Sequence, residues 1–339
     1  MNKLYIRPYQ LKFNTPVLTS RGSMFVKNGY FLFLNDGKNT GAGECSFIED
    51  LSIDNLENYH LVLHQLCENQ TVDLQEYPSI KFGLECAQLD LANGGQNILF
   101  ESNFTQNISR IPINGLVWMG DKDFMFNQIE RKLKEGFKCI KIKVGAIDFD
   151  EETELIRYIR SKFPADVVEI RLDANGAFSH TDVFQKLEKL SAFQIHSIEQ
   201  PVKQGQPELM KKVCVNSPIH IALDEELIGI DETEQFDLLN FIQPTYIILK
   251  PSLLGGFTTC EQWIKTAERL DINWWATSAL ESNVGLNAIA QWVYTKQNPL
   301  AQGLGTGGLY TNNISSPLYI TQGNIGYNPD IPWDTNFKL

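Results

Sequence analysis

The sequence predicts an α/β protein in which a small α+β domain precedes a larger barrel of alternating strands and helices. Two observations support this prediction. From about residue 110 onward, short apolar runs recur roughly every 25 to 30 residues, and each is followed by a segment with helical spacing. The chain of 339 residues also exceeds the size at which one core usually keeps growing, so we expect one large domain and one smaller one.

Eight apolar runs, each bounded by Gly, Pro, Asn or Asp, form the predicted strands of the barrel. They are residues 111–115, 138–144, 167–174, 194–200, 220–226, 244–250, 272–278 and 301–306. The segments between them are amphipathic; Leu155, Ile156 and Ile159, for example, share one helical face. Strands that alternate with helices form right-handed βαβ units and a parallel sheet. Eight such strands close most naturally into a (β/α)₈-type barrel.

The two ends of the chain have different patterns. Residues 1–105 contain two antiparallel strand patterns followed by two helical patterns, which predicts an α+β domain. The tail, residues 308–339, is rich in Asn, Gly and Pro and carries no eighth barrel helix. We therefore expect the tail to return to the N-terminal domain and complete it, while residues 106–307 form the barrel that carries the active site.

Composition excludes several classes of function. The formal net charge of −12, without any basic run, argues against a nucleic-acid partner. No stretch approaches the roughly 20 apolar residues of a membrane span, and the N-terminus lacks the apolar region of a secretory signal. The six cysteines lie far apart, which is typical of a reduced, cytoplasmic protein and argues against zinc or a cysteine nucleophile. No coiled-coil seam or long apolar stripe indicates an oligomer, although one remains compatible with the sequence.

Charged residues occupy the carboxyl ends of five successive predicted strands, where such barrels place their catalytic groups. These residues are Lys143, Asp173, Glu199, Asp224 and Lys250. A single Asp or Glu after a strand is more often a helix cap or an ion-pair partner, and a single lysine is usually a solvated surface charge. Five charges with apolar neighbours at successive strand ends instead favour a catalytic site.

Three carboxylates that converge on a barrel mouth repel each other unless a cation lies among them. Oxygen ligands without His or Cys suit a hard ion, so we expect Mg²⁺, with Mn²⁺ as a substitute. The chemistry that fits is the removal of a proton next to the carboxylate of a small-molecule substrate. A lysine would act as the base, and the divalent ion would stabilise the enediolate as it forms.

At this point the motifs resemble those of a known family. KIK at 141–143, DAN at 173–175, Glu199 in IEQP, Asp224 in LDEE and Lys250 in LKPS are similar to the muconate-lactonizing subgroup of the enolase superfamily. The resemblance covers essentially the whole chain and implies a (β/α)₇β TIM-like barrel, without its last helix, behind an N-terminal α+β capping domain. It further implies that Asp173, Glu199 and Asp224 bind Mg²⁺, and that Lys143 and Lys250 flank the substrate from opposite faces.

Within that subgroup, TSALESNVGL at 277–286 and GLGTGGLY at 303–310 resemble segments of the o-succinylbenzoate synthases. Dipeptide epimerases carry an Asp-x-Asp where this chain has Gly305 and Gly307, which argues against a substrate with a free α-amino group. The resemblance implies a lyase of menaquinone biosynthesis that dehydrates 2-succinyl-6-hydroxy-2,4-cyclohexadiene-1-carboxylate. Lys143 would remove the α-proton and later protonate the departing hydroxyl, while Lys250 would stay cationic.

Other activities stay open at this point. An N-acylamino acid racemase or a dipeptide epimerase of the same superfamily would need the same two lysines and the same metal. Muconate cycloisomerisation is a third alternative within the superfamily. From a different class, a non-catalytic barrel could retain ligand binding alone, but such a scaffold would have no use for costly buried charges.

Six further residues are candidates for supporting roles: Lys141, Arg171, Ser278 and Ser20 as substrate contacts, and Asn175 and Glu225 around the metal ligands. Arg171 either orients the substrate or pairs with Glu169, and Ser278 either contacts the succinyl arm or occupies a turn. Ser20 belongs to the loop 15–23, which is either a lid over the substrate or a static surface loop.

Overall fold

A computed structural model describes residues 2–19 and 22–337. Its N-terminal part is an antiparallel sheet in which β1 (Lys3–Thr19), β2 (Gly22–Asn35) and β3 (Thr40–Cys45) lie in that order. Two helices follow, α1 (Tyr59–Cys67) and α2 (Pro78–Ala92). A Cβ atom on Gly43 would lie 1.9 Å from the Gly83 carbonyl oxygen, so glycine at this position allows α2 to pack directly on β3.

In the described part of the chain, seven parallel strands form one sheet in the order β11-β10-β9-β8-β7-β6-β5. A two-residue strand, β4 (Ile111–Pro112), precedes them. The seven are β5 (Gly115–Val117), β6 (Cys139–Lys143), β7 (Glu169–Asp173), β8 (Ser197–Glu199), β9 (His220–Leu223), β10 (Tyr246–Leu249) and β11 (Asn273–Ala276). Gln302 and Gly303 form parallel bridges with Ile113 and Thr277, so they lie between the two outer strands of the sheet.

Helices cover the parallel sheet and connect its strands. They are α3 (Lys122–Lys134), α4 (Phe149–Lys162), α5 (Val183–Ser191), α6 (Pro207–Asn216), α7 (Gln235–Ile242), α8 (Pro251–Leu254), α9 (Phe257–Glu268) and α10 (Asn283–Thr295). Leu155, Ile156 and Ile159 of α4 are buried on one face, as their spacing predicts. The largest apolar core lies between these helices and the strands. No helix in the described residues has the length and apolarity that a membrane crossing requires.

The first and last predicted barrel strands differ from the sequence prediction. The run 111–115 splits, because β4 pairs antiparallel with β13 (Asn324–Tyr327) of the tail and only β5 joins the parallel sheet. In the run 301–306 only Gln302 and Gly303 form bridges, and no regular strand results. The Gln302 side chain accepts a hydrogen bond from the Ala276 backbone N–H at 2.8 Å, a donor that a regular neighbouring strand would otherwise satisfy.

The tail lies against both parts of the molecule. After β12 (Leu318–Thr321), strand β13 pairs with β12 on one side and with β4 on the other. Asn312 donates to the Gln10 carbonyl and accepts from the Lys12 N–H, at 2.8 and 2.7 Å. These contacts hold the tail along the edge of β1, next to the mouth of the parallel sheet.

Candidate active site

A cavity of about 440 Å³ lies between the N-terminal sheet and the carboxyl ends of the parallel strands. Its barrel side includes Lys141, Lys143, Asp173 and Lys250. Residues 22–28 of β2 and residues 47–51, which follow β3, line its other side. The cavity therefore contains charged groups from the strand ends beneath a wall supplied by the N-terminal domain.

Strand register brings the predicted charged residues together. Lys143, Asp173 and Glu199 are the last residues of three neighbouring strands, and each stands directly opposite the next. Asp224 and Lys250 directly follow the next two strands. Parallel strands that end at the same level place their final side chains in one row. Residues that are about 25 to 30 positions apart in the sequence therefore lie side by side in the structure.

The lysines and carboxylates of this row form ion pairs. Lys141 Nζ lies 2.9 Å from Asp173 Oδ2 and 2.5 Å from Glu199 Oε2, and Lys143 Nζ lies 3.0 Å from Asp173 Oδ2. Lys250 donates a hydrogen bond to Asp224. Because β7, β8 and β9 lie between β6 and β10, Lys143 and Lys250 reach the cavity from different sides of its floor.

Burial and neighbouring charges shift the pKa values of these groups. Burial, together with the neighbouring Asp173 charge, raises the pKa of Glu199 well above its usual range. Burial also acts to raise the pKa of Asp173, but Lys141 and Lys143 outweigh it and hold that pKa below its ordinary value. Burial acts to lower the pKa of Lys250, but Asp224 and Glu225 outweigh it and raise that pKa. The row is therefore one strongly interacting electrostatic unit.

The chemistry of the donor set fits a hard divalent cation such as Mg²⁺. Asp173, Glu199 and Asp224 offer only oxygen, and Glu199 Oε1 is buried with no hydrogen-bond partner. Among the described residues, no three His, Cys, Asp or Glu side chains enclose a position as closely as a bound ion requires. The carboxylates are instead turned toward the lysines, which are the cations present next to them.

Comparison with known proteins agrees with this geometry. Residues 125–326 match the family model for the enolase C-terminal domain-like proteins, and residues 1–91 match that for the MenC N-terminal domain. The chain is 44% identical to the o-succinylbenzoate synthase of Desulfotalea psychrophila, over 96% of this chain and 98% of that protein. This chain belongs to the o-succinylbenzoate synthase family of the enolase superfamily.

Solved structures and further relatives give the same picture of the family. The crystal structure of MenC from Desulfotalea psychrophila superimposes with a TM-score of 0.87, at 42% identity, over 96% of this chain and 99% of that one. The o-succinylbenzoate synthase of Vibrio cholerae is 24% identical over 91% of this chain and 90% of that protein. A dipeptide epimerase from Enterococcus faecalis, complexed with Mg and the dipeptide L-Leu-L-Tyr, has a TM-score of 0.81 over 96% of each chain, and its 18% identity shows the shared fold alone.

Asn175 and Glu225 lie beside the charged row of this family member. Asn175 Oδ1 accepts a hydrogen bond from Lys143 Nζ at 2.6 Å, and its Nδ2 donates to Glu225 Oε1 at 2.9 Å. Its backbone N–H donates to Asp173 Oδ1 at 3.1 Å, with φ at 41°, in the left-handed region that Asn tolerates better than most residues. The structure therefore places Asn175 between the Lys143 ammonium group and the carboxylates.

Arg171 is buried in the barrel and does not line the cavity. Its Nε donates to Glu169 Oε1 at 2.6 Å, and its guanidinium lies 4.1 Å from the centre of the Trp275 ring. Of its two sequence interpretations, the pairing with Glu169 is the one the structure contains. Alternation along β7 gives Arg171 the same face as Asp173, but two residues earlier it lies deeper in the barrel.

Two other predicted substrate contacts have different outcomes. Ser278 lines the cavity, but its hydroxyl already donates to Glu281 Oε2 at 2.5 Å and accepts from Thr306 Oγ1 at 2.7 Å. Ser20 lies outside the described residues, so its proposed contact stays a prediction. The loop predicted over residues 15–23 is wrong for its described part, because residues 15–19 and 22–23 belong to β1 and β2, which pair antiparallel up to Thr19 and Gly22. Its role as a lid stays a prediction.

The sequence analysis missed Lys27, Glu44 and Glu281, which are all buried in or near the cavity wall. A signal was present in β2, where alternation places Lys27 on the same buried face as Gly29, Phe31 and Phe33. A lysine on the apolar face of a strand is unusual, and it marks a position where a charge serves a purpose other than solubility.

Proposed function

We propose that this chain dehydrates 2-succinyl-6-hydroxy-2,4-cyclohexadiene-1-carboxylate to o-succinylbenzoate in menaquinone biosynthesis. The observation that carries the proposal is the pair Lys143 and Lys250, which reach one cavity from different sides of a row of buried carboxylates. The full-length similarity to an o-succinylbenzoate synthase supports the choice of substrate. Fold alone would not, because related barrels perform different reactions.

In this proposal Lys143 is the base and later the acid. Its neutral amine takes the proton from the ring carbon that bears the carboxylate. The electron pair of that C–H bond forms a new ring double bond, and the neighbouring C–O bond breaks. The departing hydroxyl leaves as water with the proton that Lys143 returns, so the ring becomes aromatic and the lysine is restored.

Lys250 is proposed to remain an ammonium group throughout. Its ion pair with Asp224 favours the charged form. A fixed cation at this position stabilises negative charge that develops on the substrate carboxylate as the proton leaves. Asn175 is proposed as a positioning residue, because its bond from Lys143 limits where that amine can point.

Asp173, Glu199 and Asp224 are the residues proposed to hold Mg²⁺, with Mn²⁺ as a substitute. When bound there, the ion supplies positive charge beside the substrate carboxylate and lowers the barrier to proton removal. Glu199 contributes a buried oxygen that lacks a hydrogen bond, which favours its use as a ligand. Lys141 neutralises part of the same cluster through Asp173 and Glu199 and is proposed to hold these carboxylates in place.

The finer architecture is also a proposal. We infer a (β/α)₇β barrel over residues 106–307, in which the segment around Gln302 and Gly303 takes the place of the eighth strand. Residues 1–105 with the tail 308–339 would form the capping domain, and the contacts of Asn312 with Gln10 and Lys12 support that division. The cytoplasmic location stays a prediction.

The test is a spectrophotometric assay that follows loss of the diene absorbance of the proposed substrate, with and without Mg²⁺. Mg²⁺-dependent conversion to o-succinylbenzoate is the expected result. A folded, metal-loaded protein that gives no conversion would overturn the proposal. N-acylamino acids and dipeptides would then be screened for deuterium exchange at the α-carbon, since two lysines on different sides of a substrate also suit racemisation or epimerisation.

A further inference from the structure

Lys27 is a buried cation in the wall that the N-terminal domain contributes to the cavity. It lies on β2, on the face that packs toward the barrel, and only 2% of its surface is exposed. It also belongs to the cavity lining, on the side opposite the charged row. Its ammonium group donates a hydrogen bond to the Ser46 hydroxyl, a neutral partner.

The other lysines of the cavity wall all have carboxylate partners, and Lys27 does not. Lys141, Lys143 and Lys250 each lie within 4.0 Å of an Asp or Glu oxygen. Within the described ranges, 2–19 and 22–337, Lys27 forms no ion pair at that distance. Among the described residues of this lining, Lys27 is therefore the cation whose charge is not compensated by direct contact.

The two carboxylates that act most strongly on the Lys27 charge, Glu44 and Glu281, already accept hydrogen bonds from neutral donors. Glu44 accepts hydrogen bonds from the Ser282 and Gly285 backbone N–H groups, both at 2.8 Å. Glu281 accepts from the hydroxyls of Ser252 and Ser278 and from the Ala279 N–H. These bonds hold the Glu44 carboxylate at the start of α10 and the Glu281 carboxylate against Ser252 and residues 278–279. Each carboxylate would lose hydrogen bonds if it turned to Lys27.

A buried charge without a partner is costly, because it has lost its hydration and gained no opposite charge. Burial lowers the pKa of Lys27, although Glu44, Glu281 and Asp54 act in the opposite direction. An anion that entered the cavity and contacted the ammonium group would remove this cost. The position of Lys27 is therefore suited to an anionic ligand group.

We propose that Lys27 binds the carboxylate at the far end of the succinyl arm, so that the cavity selects dicarboxylates. This inference rests on the proposed function, in which the ring carboxylate lies at the charged row and a second carboxylate remains to be bound. Apolar lining residues, among them Met24, Phe47 and Leu280, offer surface for the methylene groups of the arm. Ser278, the contact suggested by the sequence, has its hydroxyl proton committed to Glu281.

The experiment is a binding comparison by titration calorimetry on the Mg²⁺-loaded protein. The ligands are o-succinylbenzoate and its analogue in which the terminal carboxylate is a primary amide. Wild type is expected to prefer the diacid. Lys27→Met is expected to weaken binding of the diacid by about tenfold to a hundredfold, the range for a lost hydrogen bond to a charged group, and to leave binding of the amide within about twofold.

Two further variants keep the result interpretable. Lys27→Gln removes the charge but retains a hydrogen-bond donor for Ser46, and it replaces Lys27→Met in the comparison if that variant folds poorly. It should show the same selective loss of diacid binding. Lys12→Met makes the same chemical change on an exposed lysine of the neighbouring strand and should bind both ligands as wild type does. An equal loss for both ligands, or no loss for the diacid, would overturn the role of Lys27.

Binding does not require turnover, which separates this proposal from the dehydration itself. A protein that binds the diacid through Lys27 but converts no substrate would refute the reaction and support the subsite. A protein that converts substrate while Lys27→Met retains the wild-type preference would support the reaction and refute the subsite.

Discussion

Glu44 and Ser282 join the N-terminal sheet to the barrel through two hydrogen bonds. The Glu44 carboxylate accepts from both the backbone N–H and the hydroxyl of Ser282, the residue immediately before α10. It also accepts from the Gly285 N–H in the first turn of that helix. A buried carboxylate on β3 thus satisfies helix N–H groups that have no partner within the helix, at the end where negative charge is favoured.

We therefore expect Glu44→Ala to destabilise the fold by about 2–4 kcal/mol, because it leaves two buried N–H groups without acceptors. Urea denaturation followed by circular dichroism would measure this loss. Glu57→Ala, at an exposed position, should change stability by less than about 0.5 kcal/mol. If both variants unfold at the wild-type urea concentration, the Glu44 contacts do not hold the two parts together.

Lys143→Met should lower kcat by roughly 10²- to 10⁴-fold, the usual contribution of a positioned acid–base group. Its far-ultraviolet circular dichroism should resemble that of wild type, which would show that the fold is retained. Lys138→Met, an exposed lysine just before the same strand, is the matched control and should keep full activity. Turnover by Lys143→Met at the wild-type rate would exclude this lysine as the base.

Removal of divalent ions should abolish turnover reversibly. Treatment with EDTA followed by desalting should leave a folded but inactive protein, and added Mg²⁺ should restore activity. Glu199→Gln should raise the Mg²⁺ concentration needed for half-maximal activity, because a neutral amide oxygen binds a hard cation less strongly than a carboxylate does. Full activity in a preparation shown by elemental analysis to be metal-free would contradict the ligand assignment.

Asp54 should make stability depend on pH. Burial raises its pKa to about 6, even though hydrogen bonds from Ser79 act to lower it. A carboxyl group with a raised pKa in the folded state binds its proton more tightly there, so its ionised form destabilises the fold above about pH 6. This destabilisation disappears as the pH falls through 6 toward the ordinary value.

Asp54→Asn keeps an acceptor for Ser79 but cannot ionise. At pH 7.5 it should be more stable than wild type by up to about 3 kcal/mol, since each pKa unit corresponds to about 1.4 kcal/mol. The difference should shrink to about 1 kcal/mol near pH 4.5 and disappear only below the ordinary Asp pKa of about 3.9. A stability difference that stays constant between those pH values would show that ionisation of Asp54 is not its source.

Sequence periodicity was sufficient for six of the eight predicted parallel strands, β6 to β11, and for the charged row, because strand ends and side-chain faces follow from local patterns. Alternation places Arg171 on the same face as Asp173, yet it carries no information about depth, and depth separates a cavity residue from a core residue. The last predicted strand could not be foreseen as two bridge residues, because the pairing of Gln302 with Ile113 depends on tertiary closure.

Lys27 and Glu44 illustrate a second limit. Glu44 bonds to Ser282, more than 200 positions away in the chain, and Lys27 lines the same cavity as the distant strand ends. Local sequence propensity cannot predict tertiary contacts between residues that are this far apart in the chain. A charged residue on the buried face of an alternating strand was the available signal for Lys27.

The contacts between the tail and β1 also bear on how the protein is made. Strand β1 leaves the ribosome early, whereas Tyr310 and Asn312, which contact Phe13 and Lys12, emerge only after the whole parallel sheet has been synthesised. During most of translation, the edge of β1 that later contacts the tail therefore has no partner. A chain that is truncated before residue 310 would keep this strand edge exposed. An exposed edge of this kind can bind chaperones or pair with other chains and aggregate.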